Sequence, residues 1–426
     1  MSHYKPYPVY KDSGVEWIGR VPEHWEMLRI KRAAALRNER RNDLPNGWTY
    51  VGLEDVEPES GRYAPTKGES RQSDDSMVGV SRAGDVLYGK LRPYLRKAIV
   101  AERDGVCSTE FLVLIAGRAA ATWLHCWLLT PDVTQQIEAG CYGAKMPRTD
   151  WEHVGSIPMP LPPPAEQSAI AAALDSETSR IDALIAKKTR FIELLKEKRS
   201  ALITHAVTKG LDPIVKMKDS GVEWLGEVPE HWKIAPLWSV YRPVKRIGFT
   251  DEPLLSVYRD YGVVLKASRD DNRNRASDDL GPYQLVEPGQ LVTNKMKTWQ
   301  GSIAVSEFRG IVSPAYFIYE PIRNVFGRFI HHLMRCGPYI TGYMSISKGI
   351  RVGQWDLDPD HFRVFPVLFP PKKEQERIVA FLDRETTRID ALTAKTQCSI
   401  DLLKERRSAF ITAAVTGQID LRGEIA

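Results

Sequence analysis

The sequence predicts an α+β chain in which two copies of a strand-rich domain are joined by two long helices. Three observations predict it. The chain is written twice, at an offset of 207 to 208 residues. Each copy ends in a tract of 43 residues without glycine or proline. Before that tract lie about 130 residues of short β-branched and aromatic runs broken by turn residues. The boundaries follow: 1–158 as an N-terminal segment plus a first domain, 159–212 as the first long helix region. A linker plus a second domain takes 213–366, and the second helix region with a tail takes 367–426.

The repeat organises everything else. Lys11–Trp25, KDSGVEWIGRVPEHW, and Lys218–Trp232, KDSGVEWLGEVPEHW, agree at 13 of 15 positions. Glu166–Asp212 and Glu374–Asp420 agree at 29 of 47. Between these anchors the copies diverge but keep their frame, as where Ala83–Tyr88 answers Pro288–Thr293 and Gly105–Ser108 answers Gly310–Ser313. The period far exceeds the roughly 20–50 residues of a solenoid unit. Each copy is therefore a whole domain plus a connecting element.

The constant tracts, 166–208 and 374–416, are rich in residues that favour or tolerate helix. Pro162–Pro164 and Pro370–Pro371 precede them, where proline is tolerated. A helix of that length spans about 64 Å, too long to bury in one small globule. Ile170, Leu174, Ile181, Leu184, Leu195 and Leu202 recur at three- and four-residue steps. Ile378, Leu382, Ile389, Leu392, Leu403 and Phe410 repeat the stripe. Lys188 and Thr396 interrupt it, as polar residues do where register is fixed. Two equivalent stripes are most simply buried against each other, giving a two-helix coiled coil. The plainer alternative packs each helix only on its own domain.

The variable regions, 26–158 and 233–366, read as compact α+β domains. Val86–Tyr88, Lys97–Val100, Phe111–Ile115, Leu291–Thr293, Ile303–Val305 and Ala315–Tyr319 read as strands, with helical patches at Ala119–Leu129 and Val325–Arg335. Basic and aromatic residues cluster at corresponding loops. The first holds Lys90, Arg92, Tyr94, Arg96 and Lys97, and is answered by Asn294, Lys295, Lys297 and Trp299. A second pairs Lys145 and Arg148 with Lys348 and Arg351. Arginine and lysine bridge guanine, asparagine pairs with adenine, and all hold phosphates. Aromatic rings and methionine press on sugars or stack on bases. A solvated basic loop is the bland reading of any one cluster, but the same positions are basic in both copies with different residues. Arg71–Gln72 and Arg269–Arg275 are further basic stretches, the latter laced with acids that repel phosphate.

Composition sets loose bounds. The chain has 426 residues, 43% hydrophobic and 27% charged, with net charge +5, which permits a nucleic-acid partner without requiring one. No run approaches the roughly 18 apolar residues of a membrane span, and the first residues lack an apolar stretch behind a basic flank. Five cysteines without a CxxC pair read as reduced thiols in a cytoplasmic protein. No metal or catalytic motif is present. Gly84–Lys90 fits G-x-x-x-x-G-K, but Leu91 stands where a phosphate loop needs serine or threonine. His24 and His231 sit beside Trp25 and Trp232 in the repeated PEHW and read as structural, and His331–His332 is a lone pair on a helical patch.

These features together resemble the specificity subunit of Type I restriction–modification systems. GVEWIGRVPEHW and its repeat, GDVLYGKLRPYLRKA, GVCSTEFLVL, and PLPPPAEQ running into LLKEKRSALITHAVTKG carry the likeness. The resemblance implies a non-catalytic subunit with two target-recognition domains, each reading one half of a bipartite, asymmetric site on double-stranded DNA. The helices would pair antiparallel in a pseudo-two-fold arrangement, set the half-site spacing and dock two modification subunits, which restriction subunits join. S-adenosylmethionine, ATP and Mg2+ would belong to those partners, with none bound here. The second domain departs from the first (TNKMKTWQ against YGKLRPYLRK), so its base preference does not carry over. Antiparallel pairing also separates the domains and brings ITAAVTGQID near KDSGVEW, as ITHAVTKGLD meets its own KDSGVEW within the chain. A self-sufficient nuclease or methyltransferase and a protein-binding scaffold are the competing readings.

Overall fold

The computed structural model describes residues 4–65, 77–268, 276–351 and 354–423, with backbone alone at Ile350, Arg351 and Gln354. It divides into two units: residues 1–189 with 398–426, and residues 190–397. These cut across the boundaries read from the sequence, because each unit takes half of each long helix.

In the first unit, strands β1 (Ala34–Leu36), β2 (Val86–Gly89), β3 (Ala98–Val100) and β4 (Phe111–Ala116) form an antiparallel sheet in the order β1-β4-β2-β3. Successive side chains on a strand point to opposite faces. Val86 and Tyr88 accordingly enter one apolar cluster with Leu112 and Leu114, while Leu87 enters another with Phe111 and Val113. Burial on both faces explains why these strands read as continuous apolar runs rather than alternating ones. The near phosphate loop is thereby resolved: Gly84, at φ 88°, turns the chain into β2, and Gly89 lies within the strand. Helix α1 (Ala121–Leu128) covers the sheet with Trp123, Leu124, Trp127 and Leu128. The first long helix, α2 (Pro164–Lys209), follows.

The second unit repeats this order. Strands β5 (Tyr241–Val244), β6 (Leu291–Asn294), β7 (Ile303–Val305) and β8 (Tyr316–Pro321) pair antiparallel as β5-β8-β6-β7. Helix α3 (Gly327–Met334) covers them, and α4 (Lys372–Val415) is the second long helix. Leu291 and Val292 again enter separate clusters.

The strict repeat has a physical reason at the start of each long helix. The buried Glu166 carboxylate accepts hydrogen bonds from Trp25 Nε1 (3.1 Å), His24 Nε2 (2.7 Å) and Tyr7 Oη (2.7 Å). Glu374 accepts from Trp232 Nε1 (3.1 Å) and His231 Nε2 (2.8 Å). The position answering Tyr7 is Ile214, 89% exposed, so the second latch lacks the third donor. The next residue, Gln167 or Gln375, donates to the carbonyl of Pro162 or Pro370. The PEHW histidines are therefore structural. Gly210 and Gly417, at φ 81° and 73°, turn the chain left-handed just past each helix, the conformation that glycine adopts without strain. In the first unit the tail closes on the N-terminal segment: Tyr10 Oη donates to Gly417 O (3.0 Å) and Asp420 N to Lys5 O (2.8 Å).

The first unit holds the first half of α2 with the second half of α4, and the second unit the converse, so the helices run in opposite directions. Arg406 meets Glu177 at 2.7 Å in the first unit, and Arg199 meets Asp390 at 3.0 Å in the second. The less exposed positions step by four and three: Leu174, Thr178, Ile181, Ile185, Lys188, Ile192, Leu195, Arg199 and Leu202 on α2. Leu382, Thr386, Ile389, Thr393, Thr396, Ile400, Leu403, Arg407 and Phe410 match them on α4. This is a heptad seam. It corrects two positions: Leu184 and Leu392, placed on the stripe from sequence, are 40% and 39% exposed. They lie one residue, about 100°, off the seam that Ile185 and Thr393 occupy. Threonines on the seam stay satisfied by bonding their own helix, Thr178 to Leu174 O and Thr386 to Leu382 O, both at 2.7 Å. The helix ends also join the domain cores, through Ile170, Leu174 and Phe410 in one unit and Ile378 and Leu382 in the other.

Candidate nucleic-acid interface

Each unit brings its two basic stretches together. In the first, β2 ends at Gly89 and the chain runs on through Lys90–Lys97, with a single 3-10 turn at Pro93–Leu95. The stretch Tyr142–Thr149 lies alongside. Thr149 N donates to Lys90 O (3.1 Å), Arg92 N donates to Pro147 O (2.8 Å), and Leu91 pairs with Arg148. In the second unit Lys295 N donates to Ala315 O (3.0 Å), as Lys90 N does to Glu110 O (2.9 Å). Lys295 O accepts from Leu357 N (2.9 Å), as Lys90 O does from Thr149. Leu357 ends a hairpin of Ser347–Arg351 and Gln354–Leu357 that carries Lys348. The same backbone bonds thus assemble the same surface from different side chains.

The residues fall into two groups. Among the described residues Lys90, Arg92, Lys145 and Lys297 make no ion pair, and Lys145 and Lys297 are exposed. Tyr94, Tyr142, Met146 and Met296 flank them, 45%, 57%, 47% and 43% exposed. Trp299 and Trp355 have ring centroids 5.0 Å apart. Such a surface offers cations without an ion-pair partner for phosphates and guanine edges, with apolar faces for sugars and bases.

Other residues are engaged within their own domain. Lys97 Nζ donates to Leu53 O (2.6 Å), and burial lowers its pKa. Arg96 pairs with Glu59 at 2.5 Å with little side-chain exposure. Arg148 forks onto Glu110 through two 3.2 Å bonds. Lys295 lies 4.6 Å over the Phe317 ring, and Lys348 reaches Asp358 at 3.4 Å. Asn294 Oδ1 accepts from Met296 N (3.1 Å), which shapes the loop. The Asp358 carboxyl is held down to about 2, chiefly by its hydrogen bond to His361. Arg351 sits in the hairpin, its side chain outside the described residues, as are Arg71–Gln72 and Arg269–Arg275. Tyr142 and Trp355 escaped the sequence reading. Their signal was an aromatic residue in a stretch of glycine and polar residues with no apolar periodicity to claim it.

No family model matches the chain. Three curated proteins resemble parts of it. The EcoDI specificity subunit of Escherichia coli is 24% identical over 178 residues, 40% of this chain and 39% of that protein. The EcoKI specificity subunit of E. coli K12 is 24% identical over 208 residues, 46% and 44% of the two chains. The MjaVIII specificity subunit of Methanocaldococcus jannaschii is 25% identical over 235 residues, 52% and 50%. All three are Type I restriction enzyme subunits, and the matches span half or less of their length. In fold the likeness runs further. A chain solved in a study of complex assembly and conformational transition of the type I R-M system superposes with a TM-score of 0.69. That match covers 95% of this chain and 99% of that one at 18% identity. The HsdS subunit from Thermoanaerobacter tengcongensis gives 0.51 over 94% and 98%, also at 18% identity. Over part of its length the chain is similar in sequence to Type I restriction enzyme specificity subunits, and over nearly all of it its fold is that of these two solved chains.

Proposed function

We propose that the chain is the DNA sequence-specificity subunit of a Type I restriction–modification complex. Each unit reads one half of a bipartite, asymmetric duplex site through its paired basic loops. One observation carries this reading: in both units the same backbone bond, at Lys90 O and at Lys295 O, ties the first basic stretch to a distant segment adjoining the second, at Thr149 beside Arg148 and at Leu357 in the strand paired with Ser347–Arg351, while the side chains differ. A constant frame with changed contact residues is what two readers of different half-sites require. The subunit itself is non-catalytic. Its paired helices set the half-site spacing and dock two modification subunits, with restriction subunits completing the complex. S-adenosylmethionine, ATP and Mg2+ act on those partners.

The test is duplex binding by the full chain with its modification partners across a salt series. Lys90→Ala and Lys145→Ala should each weaken binding and lower the salt slope by about 1, the effect of one fewer neutralised phosphate. Unchanged affinity and slope in both variants would remove these loops from the interface. Cutting or methylation of DNA by the purified chain alone would overturn the non-catalytic reading.

A further inference from the structure

Among the described residues three non-glycine positions have positive φ: Glu59 (62°), Arg92 (52°) and Arg96 (47°). All three meet at one place in the first unit. Arg92 and Arg96 bracket the turn Pro93–Leu95, and Glu59 N donates to Leu95 O at 3.2 Å. The Glu59 carboxylate pairs with Arg96 at 2.5 Å, and Arg96 Nη1 also reaches Leu129 O at 3.5 Å. The loop that carries Glu59 is itself held from α4, where Arg407 Nη2 donates to Ser60 O at 2.8 Å and Arg407 Nε lies 3.1 Å from Asp182 of α2.

The second unit shows what the fold alone demands. Its matching turn, Thr298–Gln300, is followed by Gly301 at φ 94°, in the position that Arg96 holds in the first. Left-handed backbone is needed there, and glycine supplies it without a side-chain clash. An arginine in the same conformation is strained, and such strain persists where surrounding contacts over-determine it. What the first unit has in place of glycine is the guanidinium of Arg96, held by Glu59 and the Leu129 carbonyl.

We infer that Arg96 is a positioning residue rather than a DNA contact, and that Glu59 and Arg407 are its supports. Together they hold Lys90, Arg92 and Tyr94 in register and tie that loop to the helix pair. This rests on the reading of the loop as a DNA contact. Salt dependence separates the two roles, because removing a phosphate contact lowers the slope by about 1 and removing a support does not.

Two readouts on the full chain test it: amide hydrogen exchange without DNA, and binding to an arbitrary-sequence 40-base-pair duplex across a salt series. In Glu59→Gln, exchange at Leu95 and Arg96 should rise about ten-fold, with the rest of the chain unmoved. Duplex affinity should fall about ten-fold at an unchanged salt slope, and Arg96→Gly should do the same while relieving the strain. A slope lowered by about 1 in Arg96→Gly, with Glu59→Gln binding as well as the unaltered chain, would make Arg96 a phosphate contact and overturn the proposal. Unchanged exchange in both variants would overturn it too. Raised exchange with unchanged affinity overturns it alone if Lys90→Ala still weakens binding. If Lys90→Ala is also silent, the DNA reading of the loop falls with it.

Discussion

Glu166 shows how much one carboxylate can hold. It is buried and accepts from three side chains, Tyr7, His24 and Trp25, that fasten the N-terminal segment to α2. Glu166→Ala should cost about 3 kcal/mol in denaturant unfolding, because buried donors are left unsatisfied. Glu374→Ala, with two donors, should cost less, and equal losses would discount the Tyr7 bond. Histidines set a second residue-scale expectation. Burial pushes His125 down to about 4, His331 to about 3 and His332 to about 4. Geometry agrees for His331: Arg335 Nη1, which can only donate, lies 2.6 Å from its Nε2, and that contact requires a neutral ring. Unfolding returns each to an ordinary value near 6.5. Below that pH the unfolded chain binds more protons, so stability is full above it and falls as pH drops towards 4. Lowering pH from 7 to 5 should cost about 2 kcal/mol per histidine. The check is a melting temperature followed against pH, and a flat profile over that window would contradict it.

At the scale of elements, the seam makes a prediction opposite to the stripe read from sequence. Ile181→Ala should cost about 2–4 kcal/mol in the isolated chain, and Leu184→Ala well under 1. Similar losses would restore Leu184 to the seam. The long helices were legible because 43 residues without glycine or proline leave few alternatives, and the strands because β-branched runs end at turns. The seam register was not. Leucine recurs at both 184 and 195, and apolarity alone cannot tell Leu184 from Ile185 when they lie three and four residues beyond Ile181. Polar seam residues such as Thr178 hide the pattern further, since their hydroxyls are satisfied within the helix. The candidate interface was half legible. Among the described residues Lys90 and Lys145 make no ion pair, but no sequence pattern distinguishes them from Arg96, whose partner Glu59 lies far back in the chain. Side-chain partnership depends on tertiary neighbours, which periodicity does not encode.

For the whole molecule, the duplicated topology predicts modular specificity. Exchanging residues 26–158 for the matching region of a relative should change one half of the methylated site and leave the other, read by genome-wide mapping of methylated bases in cells carrying the partner subunits. A change in both halves would end the modular picture. The two units also differ in continuity. Residues 190–397 are one uninterrupted stretch, whereas the first unit needs 398–426 to finish its core with Phe410, Ile411, Val415 and Leu421. On a translating ribosome the portion made first is therefore the last completed. At about 5–20 residues per second, Tyr7 and Trp25 wait roughly 20–80 s for the helix segment that covers them. Through that interval the nascent first unit exposes an apolar face that the finished protein never shows.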